Sequence, residues 1–384
     1  MELVKAPFQV GRPVEDEYFI DRERELEELA RQTNSMSSVC LLGPRRMGKT
    51  SILLKLARQV KDPIPVYVNC YGVPDKRQLA SILSDAVKDA YVEKTGDGKY
   101  GSAIIKYLKE GMEKIPYHVA EMDVSMGQYF KIRIGITRKE IEPDTVLADA
   151  FGYAEKLGAA KGKRFAIILD EIQDVGSRWG EDFFKRLRSI VEKQKSVCYV
   201  FCGSSITFMN SLVDDRASPF YRQLYKIAVG PLPEDGARKF VEERFSACGY
   251  EIENGAMDAF IETTRSIPDY VQRLGLIAST ISRKITKAVV EDAYEKMLLD
   301  MDSEFRETLS KLNQRSGIYG AILTGLSRSD SLSEAGRAVG YDIGKAMRQM
   351  AYLQNVGLVE KKGHGKYAIS DPIFNEWLKR NFGG

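Results

Sequence analysis

One segment of the sequence combines glycines, a lysine and a hydroxyl side chain at a spacing that suits phosphate binding. Residues 43–50 read GPRRMGKT and match the pattern GxxxxGK[ST]. An apolar run precedes the segment and a helical periodicity follows it, so backbone N–H groups at a helix N-terminus can surround an anion. The residues that this context assigns to nucleotide binding are Gly43, Pro44, Arg45, Arg46, Met47, Gly48, Lys49, Thr50 and Ser51.

The side chains of this loop have distinct predicted roles. Lys49 is expected to neutralise β- and γ-phosphate oxygens during catalysis, and Thr50 to be a ligand of Mg²⁺. Ser51 either caps the following helix or contacts the α-phosphate. For Arg45 and Arg46 two interpretations stay open, because an arginine in such a loop either touches phosphate or points outward as a loop cation.

Two adjacent carboxylates end an apolar run later in the chain. Residues 165–171 read FAIILDE, which predicts a buried strand with Asp170 and Glu171 at its carboxyl end. Beside a phosphate-binding loop, Asp170 is expected to hold Mg²⁺ through a water or a hydroxyl, and Glu171 to polarise the attacking water. The pair therefore predicts hydrolysis of the nucleotide rather than binding alone.

Two further positions are candidates for contacts with the γ-phosphate. Ser204 and Ser205 follow a predicted strand at 197–201, and a hydroxyl there can bond the γ-phosphate or the attacking water. A turn explains a Ser-Ser pair equally well. Arg222 is either a charge for the γ-phosphate, supplied in cis or by a neighbouring subunit, or a solvated surface arginine.

Alternating strand and helix patterns place these motifs in an α/β fold. Apolar, strand-like runs at 38–42, 65–69, 165–169, 197–201 and 225–229 are separated by helical periodicities. Such alternation predicts a parallel sheet that is covered by helices on both faces.

The length of 384 residues exceeds that of one domain and predicts two or three, and the patterns along the chain divide it into three. Residues 1–232 form the predicted core, which carries an insert at roughly 91–145. Within the insert, residues 124–134 alternate with period two and suggest a small hairpin. A helical pattern follows at 233–303, and a third unit is predicted at 304–384.

Composition excludes several classes of protein. The sequence is 43% hydrophobic and 29% charged, with a net charge of +3, which fits a globular protein and no wholly basic nucleic-acid coat. Five scattered cysteines and two histidines supply neither a disulfide framework, a zinc site nor a histidine-based nucleophile. Because no apolar run approaches the roughly 18 residues of a bilayer span and no signal peptide begins the chain, we expect no membrane contact and a cytoplasmic location.

The last unit has the pattern of a winged helix-turn-helix. Helical periodicities at 318–326, 332–339 and 343–355 precede a hairpin at 358–369. From residue 304 onward, 12 Lys and Arg stand against 8 Asp and Glu, so this unit carries +4 and the rest of the chain −1.

The basic residues of this unit allow two kinds of partner. Candidate phosphate contacts to double-stranded DNA are Lys345, Arg348, Lys361, Lys362 and Lys366. Few side chains here are able to read base edges, which favours the alternative that the unit packs on the core or binds a protein.

Six segments occur in a specific order and spacing: YFIDREREL at 18–26, GPRRMGKTS at 43–51, FAIILDEIQ at 165–173, CGSS at 202–205, SPFYR at 218–222 and SIPDYVQRLG at 266–275. In this order they resemble the archaeal ATPase family of the STAND/AAA+-like P-loop NTPases, and the match covers most of the chain. The resemblance implies a P-loop NTPase core with a parallel sheet, a helical lid domain and a C-terminal winged helix. It also implies ATP and ADP as ligands.

The resemblance implies further site residues. Phe19, Ile20 and Arg22 are expected near the base and ribose, and Pro268 near the adenine. Ser266 stands where many relatives have glycine. The fourth strand lacks both the Asn of many AAA+ sensors and the Arg of many STAND relatives, so Ser204 is assigned to the site by its position alone.

The first hypothesis is an ATP-binding protein that hydrolyses ATP slowly with Mg²⁺ and acts as a switch, because ATP bridges core, lid and winged helix. The alternative is a DNA-binding regulator or origin-recognition-like initiator whose ATP site controls assembly. The sequence does not identify a protein partner, and it leaves oligomerisation open.

Overall fold

A five-stranded parallel sheet forms the centre of the N-terminal half of the protein. In this computed structural model, the described residues are 6–97, 119–122, 134–136, 142–338, 340 and 343–382. The strands of this half are β1 (Val39–Leu42), β2 (Ile64–Asn69), β3 (Val119–Met122), β4 (Ile134–Ile136), β5 (Phe165–Asp170), β6 (Val197–Gly203) and β7 (Tyr225–Ala228). The sheet has the order β2-β5-β6-β1-β7, and every neighbouring pair is parallel. The predicted α/β fold with a parallel sheet is confirmed.

Helices cover both faces of this sheet. They are α1 (Glu23–Asn34), α2 (Lys49–Gln59), α3 (Lys76–Thr95), α4 (Pro143–Lys161), α5 (Ile172–Val191) and α6 (Ile206–Asp214). Because successive strand residues point to opposite faces, Leu41 packs with α1 and α2, whereas its neighbour Cys40 packs with α3 to α6. Burial on both faces explains why the strands are continuous apolar runs.

The register of the strands brings their carboxyl ends to one edge. Leu42 of β1 pairs with Gly203 of β6, and Asn69 of β2 pairs with Asp170 of β5. The loops that follow β1, β2, β5 and β6 therefore leave the sheet side by side, which is the edge where open parallel sheets bind ligands.

The predicted insert is described only in part. Helix α3 continues to Thr95 and α4 begins at Pro143. Between them β3 and β4 form an antiparallel pair in which Val119 lies opposite Ile136. Most of the predicted hairpin at 124–134 lies outside the described residues.

A helical segment follows the sheet, as predicted for residues 233–303. Its elements are α7 (Glu234–Ala247), β8 (Glu251–Ile252), α8 (Asn254–Thr264), α9 (Pro268–Ile281), β9 (Lys284–Ile285) and α10 (Lys287–Arg315). Phe240 and Phe245 of α7 pack edge-to-face on Phe8, so the N-terminal residues share the core of this segment. The predicted boundary between 303 and 304 falls inside α10.

The C-terminal elements occur where the sequence predicts them, with one addition. They are α11 (Ile318–Arg328), α12 (Leu332–Ala338), α13 (Ile343–Asn355), β10 (Val359–Gly363), β11 (Lys366–Ile369) and α14 (Pro372–Phe382). The final helix α14 was not predicted; its Phe374 and Trp377 pack on Phe305 of α10. The winged helix-turn-helix assignment itself stays a prediction.

Within the described part of the chain, no helix combines the length and the apolar content that a bilayer crossing needs.

Candidate functional site

A cavity of about 440 Å³ lies at the carboxyl edge of the sheet, between the core and the helical segment. Most of the predicted site residues line it: Phe19, Ile20, Arg22, Arg45, Arg46, Met47, Gly48, Lys49, Thr50, Ser51, Asp170, Glu171 and Pro268. Folding therefore brings together motifs that lie far apart in the chain, from Phe19 to Pro268.

The loop at 43–50 has the tight geometry of a phosphate cradle. A Cβ atom at Gly43 would lie 2.0 Å from the backbone oxygen of Val229, so only glycine fits beside the end of β7. Lys49 is only 5% exposed, and its Nζ donates to the backbone oxygens of Gly43 and Pro44 at 2.8 and 2.7 Å. The ammonium group is thus held inside the loop, where phosphate oxygens would replace the two carbonyls.

Asp170 is almost completely buried at the end of β5 and accepts three hydrogen bonds. Thr50 Oγ1 and the Tyr67 hydroxyl donate to its Oδ2 at 2.8 and 2.9 Å, and the backbone N–H of Glu171 donates to Oδ1 at 3.0 Å. Burial and the nearby Asp170 charge raise the pKa of Tyr67, so this hydroxyl stays protonated and remains a donor.

The residues around Asp170 fit a magnesium ion. Thr50 Oγ1 and the Asp170 carboxylate already lie at hydrogen-bond distance from each other, and both are hard oxygen ligands of the kind that Mg²⁺ prefers. The phosphate-binding loop is directly adjacent, because Thr50 belongs to it. Thr50 and Asp170 are therefore the residues that would hold a nucleotide-bound ion.

Glu171 lines the cavity, and one oxygen of its carboxylate is held by hydrogen bonds from two neighbouring side chains. Its Oε2 accepts hydrogen bonds from Ser204 Oγ at 2.8 Å and from Gln173 Nε2. Ser204 thus joins the site through Glu171. Ser205 has a different position, since its Oγ accepts from Phe208 N at 3.3 Å, capping α6, and donates to the Gln354 oxygen at 3.2 Å.

The N-terminal motif forms one wall of the cavity. Phe19 and Ile20 are both buried there, and the Nζ of Lys55 lies 3.7 Å from the centre of the Phe19 ring. Arg22 is 4% exposed and donates to Glu25 at 2.8 Å and to the backbone oxygen of Met47 at 3.2 Å. Arg22 therefore also fixes the phosphate-binding loop to α1.

The motif at 266–275 reaches the cavity through the start of α9. Pro268 is the first residue of this helix and lies in the cavity wall. Just before it, Ser266 has φ +53°, in the left-handed region that glycine favours. Its backbone oxygen accepts from Leu232 N at 2.9 Å, so this turn is tied to the segment that follows β7.

Arg46 lines the cavity and is paired with three carboxylates outside the loop. Its Nη1 lies 2.8 Å from Asp269, its Nη2 2.5 Å from Glu304 and its Nε 3.2 Å from Asp371. The guanidinium also lies over the ring of Tyr270, whose hydroxyl donates to Asp371 at 2.6 Å. One residue of the loop thus contacts both the helical segment and the C-terminal unit. The neighbouring Arg45 is exposed at the cavity wall.

Arg222 is the predicted site residue that the structure leaves apart from the rest. It is exposed, has φ +54° and lies over the ring of Tyr221 at 5.1 Å. It does not belong to the cavity wall formed by the described residues. Its role, as a charge for the γ-phosphate in cis or from a neighbouring subunit or as a solvated surface arginine, stays a prediction.

Several residues that line the cavity were not predicted from the sequence. Residues 9–14 cross the cavity: Gln9 N donates to Gln272 Oε1 at 3.0 Å, and Val14 N donates to Ser51 Oγ at 3.1 Å. Ser51 thereby holds this segment, a role that was not among its predicted ones. Asn69, at the end of β2, also lines the cavity and could have been found by the strand-end rule that found Asp170.

The candidate DNA contacts lie apart from this cavity. Arg348 and Lys361 are exposed. Lys362 pairs with Glu360, and Lys366 lies 3.1 Å from Asp330. The side chain of Lys345 is outside the described residues.

A phosphate-binding loop after a central strand, and an Asp-Glu pair ending a nearby parallel strand, define a P-loop NTPase. A family model of ATPase domains predominantly from Archaea matches residues 19–274. The chain belongs to this archaeal ATPase family, as the motifs predicted, and is an ATP-binding NTPase.

Solved structures share the fold. The Walker-type ATPase of Pyrococcus abyssi is 18% identical, with a TM-score of 0.71 over 97% of this chain and 99% of that chain. The ADP form of the Aeropyrum pernix ORC2 protein is 13% identical, with a TM-score of 0.53 over 96% of this chain and 98% of that one. No curated protein matches the sequence.

Proposed function

We propose that this NTPase hydrolyses ATP with Mg²⁺ and acts as a nucleotide-controlled switch. In the proposal, the bound nucleotide determines how the lid, residues 233–303, and the winged-helix unit, residues 304–384, are held on the core, residues 1–232. One observation carries it: Arg46 of the phosphate-binding loop pairs with carboxylates of both other units. We assign the protein to the cytoplasm on the sequence features alone.

The site supports the hydrolytic part of this proposal through its own side chains. Thr50 Oγ1 and the Asp170 carboxylate hold the metal, and Lys49 donates to phosphate oxygens in place of the loop carbonyls. When bound, Mg²⁺ neutralises charge on the β- and γ-phosphates. Glu171 accepts a hydrogen bond from the attacking water and orients it toward the γ-phosphate.

Arg46 supports the switching part because its partners compete with phosphate. The guanidinium is 15% exposed and lines the cavity, while its donors are used by Asp269, Glu304 and Asp371. Phosphate oxygens in the loop are strong alternative acceptors for the same donors. A ligand shifts a conformational equilibrium only through such differential contacts. Each hydrogen bond that Arg46 makes to phosphate therefore replaces part of its ion pairing with Glu304 and Asp371 of the C-terminal unit.

Replacing Arg46 tests the switch. In the wild type, ATP with Mg²⁺ should increase amide hydrogen exchange in β11 and α14 by about 2- to 5-fold, because a partly exposed ion pair contributes up to about 1 kcal/mol to the free energy of local opening. In Arg46→Ala, exchange there should already be raised without nucleotide, and ATP should add little.

A control variant separates this effect from general loosening. Arg238→Ala removes ion pairs with Glu234 and Asp258 that lie wholly within the helical segment. It should leave the ATP response of the C-terminal unit as in the wild type. If exchange in the wild type is identical with and without bound ATP, the switch is rejected.

The second candidate is the DNA-binding regulator whose ATP site controls assembly. It is favoured by the exposed Arg348 and Lys361, which form no ion pair with another described residue, in a unit that carries +4. Such cations are free to contact phosphates. Binding of a protein partner by the same unit is the competing proposal, and the two differ in their dependence on salt.

A further inference from the structure

The carboxylate of Glu171 belongs to a closed group of three side chains. Ser204 Oγ donates to Glu171 Oε2 at 2.8 Å. Gln173 Nε2 donates to the same carboxylate oxygen and, at 3.1 Å, to Ser204 Oγ. Both amide hydrogens of Gln173 and the one hydroxyl hydrogen of Ser204 are thereby used once each. The group fixes Oε2 of Glu171 and leaves its other oxygen for the cavity.

The orientation of the Gln173 amide leaves an acceptor unpaired. Gln173 is 8% exposed, and its buried Oε1 has no hydrogen-bond partner among the described residues. An unpaired buried acceptor destabilises a fold. A flipped amide would instead place Oε1 against the Glu171 carboxylate, where two acceptors repel. The Glu171 contact therefore decides which way the amide faces.

The surrounding backbone leaves room for this arrangement. A Cβ atom at Gly203 would lie 2.5 Å from Gln173 Oε1, so the last residue of β6 has no side chain at the point where the amide packs. Glu171 itself has φ +53° and immediately precedes helix α5, and its side chain contacts Gln173 and Ser204. The end of β6 and the start of α5 together position the side chains of Glu171, Gln173 and Ser204.

We propose that Gln173 is a positioning residue for the hydrolysis of ATP. It acts through Glu171: by holding Oε2 it aims the free carboxylate oxygen at the attacking water, and it does not touch the nucleotide. The inference rests on the base role given to Glu171 under the proposed function. No sequence motif of the catalytic machinery assigns a role to this glutamine.

The variant Gln173→Met tests the inference, because it keeps the size of the side chain and removes its donors. We expect kcat for ATP to fall about 10- to 100-fold, the loss typical of a misplaced reacting group. KM and the affinity for ATP should stay within about 2-fold. The unfolding temperature should not fall, since the unpaired acceptor is also removed. A purely structural glutamine would instead give a less stable protein.

Gln194→Met is the matched control. Gln194 is a partly buried amide at the opposite edge of the sheet, bonded to the Phe151 oxygen at 2.8 Å and to the Tyr199 hydroxyl at 2.7 Å. Its replacement should leave kcat unchanged. An equal loss of kcat in both variants would overturn the inference.

A double-mutant cycle with Glu171→Gln shows through which residue Gln173 acts. If Gln173 works through Glu171, adding Gln173→Met to Glu171→Gln should give no further loss of kcat. An additive loss, or a rise of kcat in Gln173→Met alone, would overturn the positioning role while leaving the ATPase proposal intact. If Glu171→Gln turns over ATP at the wild-type rate, Glu171 is not the base, and both the base role of Glu171 and the positioning role of Gln173 are rejected.

Discussion

Ser266 lies in a strained turn just before helix α9. Its φ of +53° and that of Arg265, +49°, place two consecutive non-glycine residues in the left-handed region. A Cβ atom there costs about 1 to 2 kcal/mol per residue. Ser266 is 6% exposed and its backbone oxygen holds Leu232, so the turn keeps this conformation through its contacts.

Replacing Ser266 by glycine should relieve that strain. We expect Ser266→Gly to raise the free energy of unfolding by about 0.5 to 1 kcal/mol, since part of the gain is offset by the larger entropy of glycine in the unfolded chain. Urea denaturation measures the change. Ser266→Ala keeps the Cβ atom and should show no such gain, and a destabilised glycine variant would contradict the strain argument.

Single-residue roles were predictable where a motif demands them. Lys49, Thr50 and Asp170 occur in patterns whose chemistry requires those side chains, and the structure brings all three together. Arg46 was not predictable in this way. The three carboxylates that bind it are more than two hundred residues away in sequence, and only folding reveals them.

At the scale of elements, one turn joins the C-terminal unit to the core. Helix α13 packs on α6, and Gly357, just after α13, has φ +74°. A Cβ atom there would lie 2.9 Å from the backbone oxygen of Ser204. Together with the bond from Ser205 Oγ to the Gln354 oxygen, this turn places the unit against the residues that follow β6.

The variant Gly357→Ala should loosen this junction. We expect faster amide exchange in α13 and β10, by about 10-fold, because the added methyl group both strains the backbone and pushes against Ser204. Gly365→Ala is the control, since Gly365 has φ +68° and no atom within 4 Å of its missing Cβ. If both variants change exchange in α13 equally, backbone strain alone is responsible and the contact with Ser204 does not matter.

Helices and strands were predicted correctly where the sequence has a clear apolar periodicity, and segments without one were missed. The five strands of the sheet and the three helices before the hairpin have apolar patterns in the sequence, and all appear in the structure. Residues 6–14 have no such pattern, yet Phe8 is buried in the helical segment and residues 9–14 cross the cavity. Their position depends on Gln272, Arg244 and Ser51, which belong to other elements.

At the scale of the whole molecule, the charge is unevenly distributed. The C-terminal unit carries +4 and the remainder −1. Two of its candidate cations, Lys362 and Lys366, are paired with Glu360 and Asp330. Fewer side chains of this unit are therefore free to contact phosphate than the sequence suggested.

Titration of duplex DNA at several salt concentrations tests the second candidate function. If Arg348 and Lys361 are the effective contacts, log K should fall with log salt with a slope of about −2. Lys361→Ala should reduce the magnitude of the slope by about 1. Lys239→Ala, in the helical segment, should leave the slope unchanged. Undetectable or salt-insensitive binding at low ionic strength would exclude the DNA model and leave a protein partner.

The sequence by itself determined the α/β fold, the phosphate-binding loop and the strand-end carboxylates, because local periodicity and short motifs report on chemistry within one strand–loop–helix unit. Only the tertiary structure decided the partners of Arg46, the hold of Gln173 and Ser204 on Glu171, and the path of residues 9–14. These contacts join residues that are distant in the chain, and each is selected by packing and by the need of buried polar groups for partners.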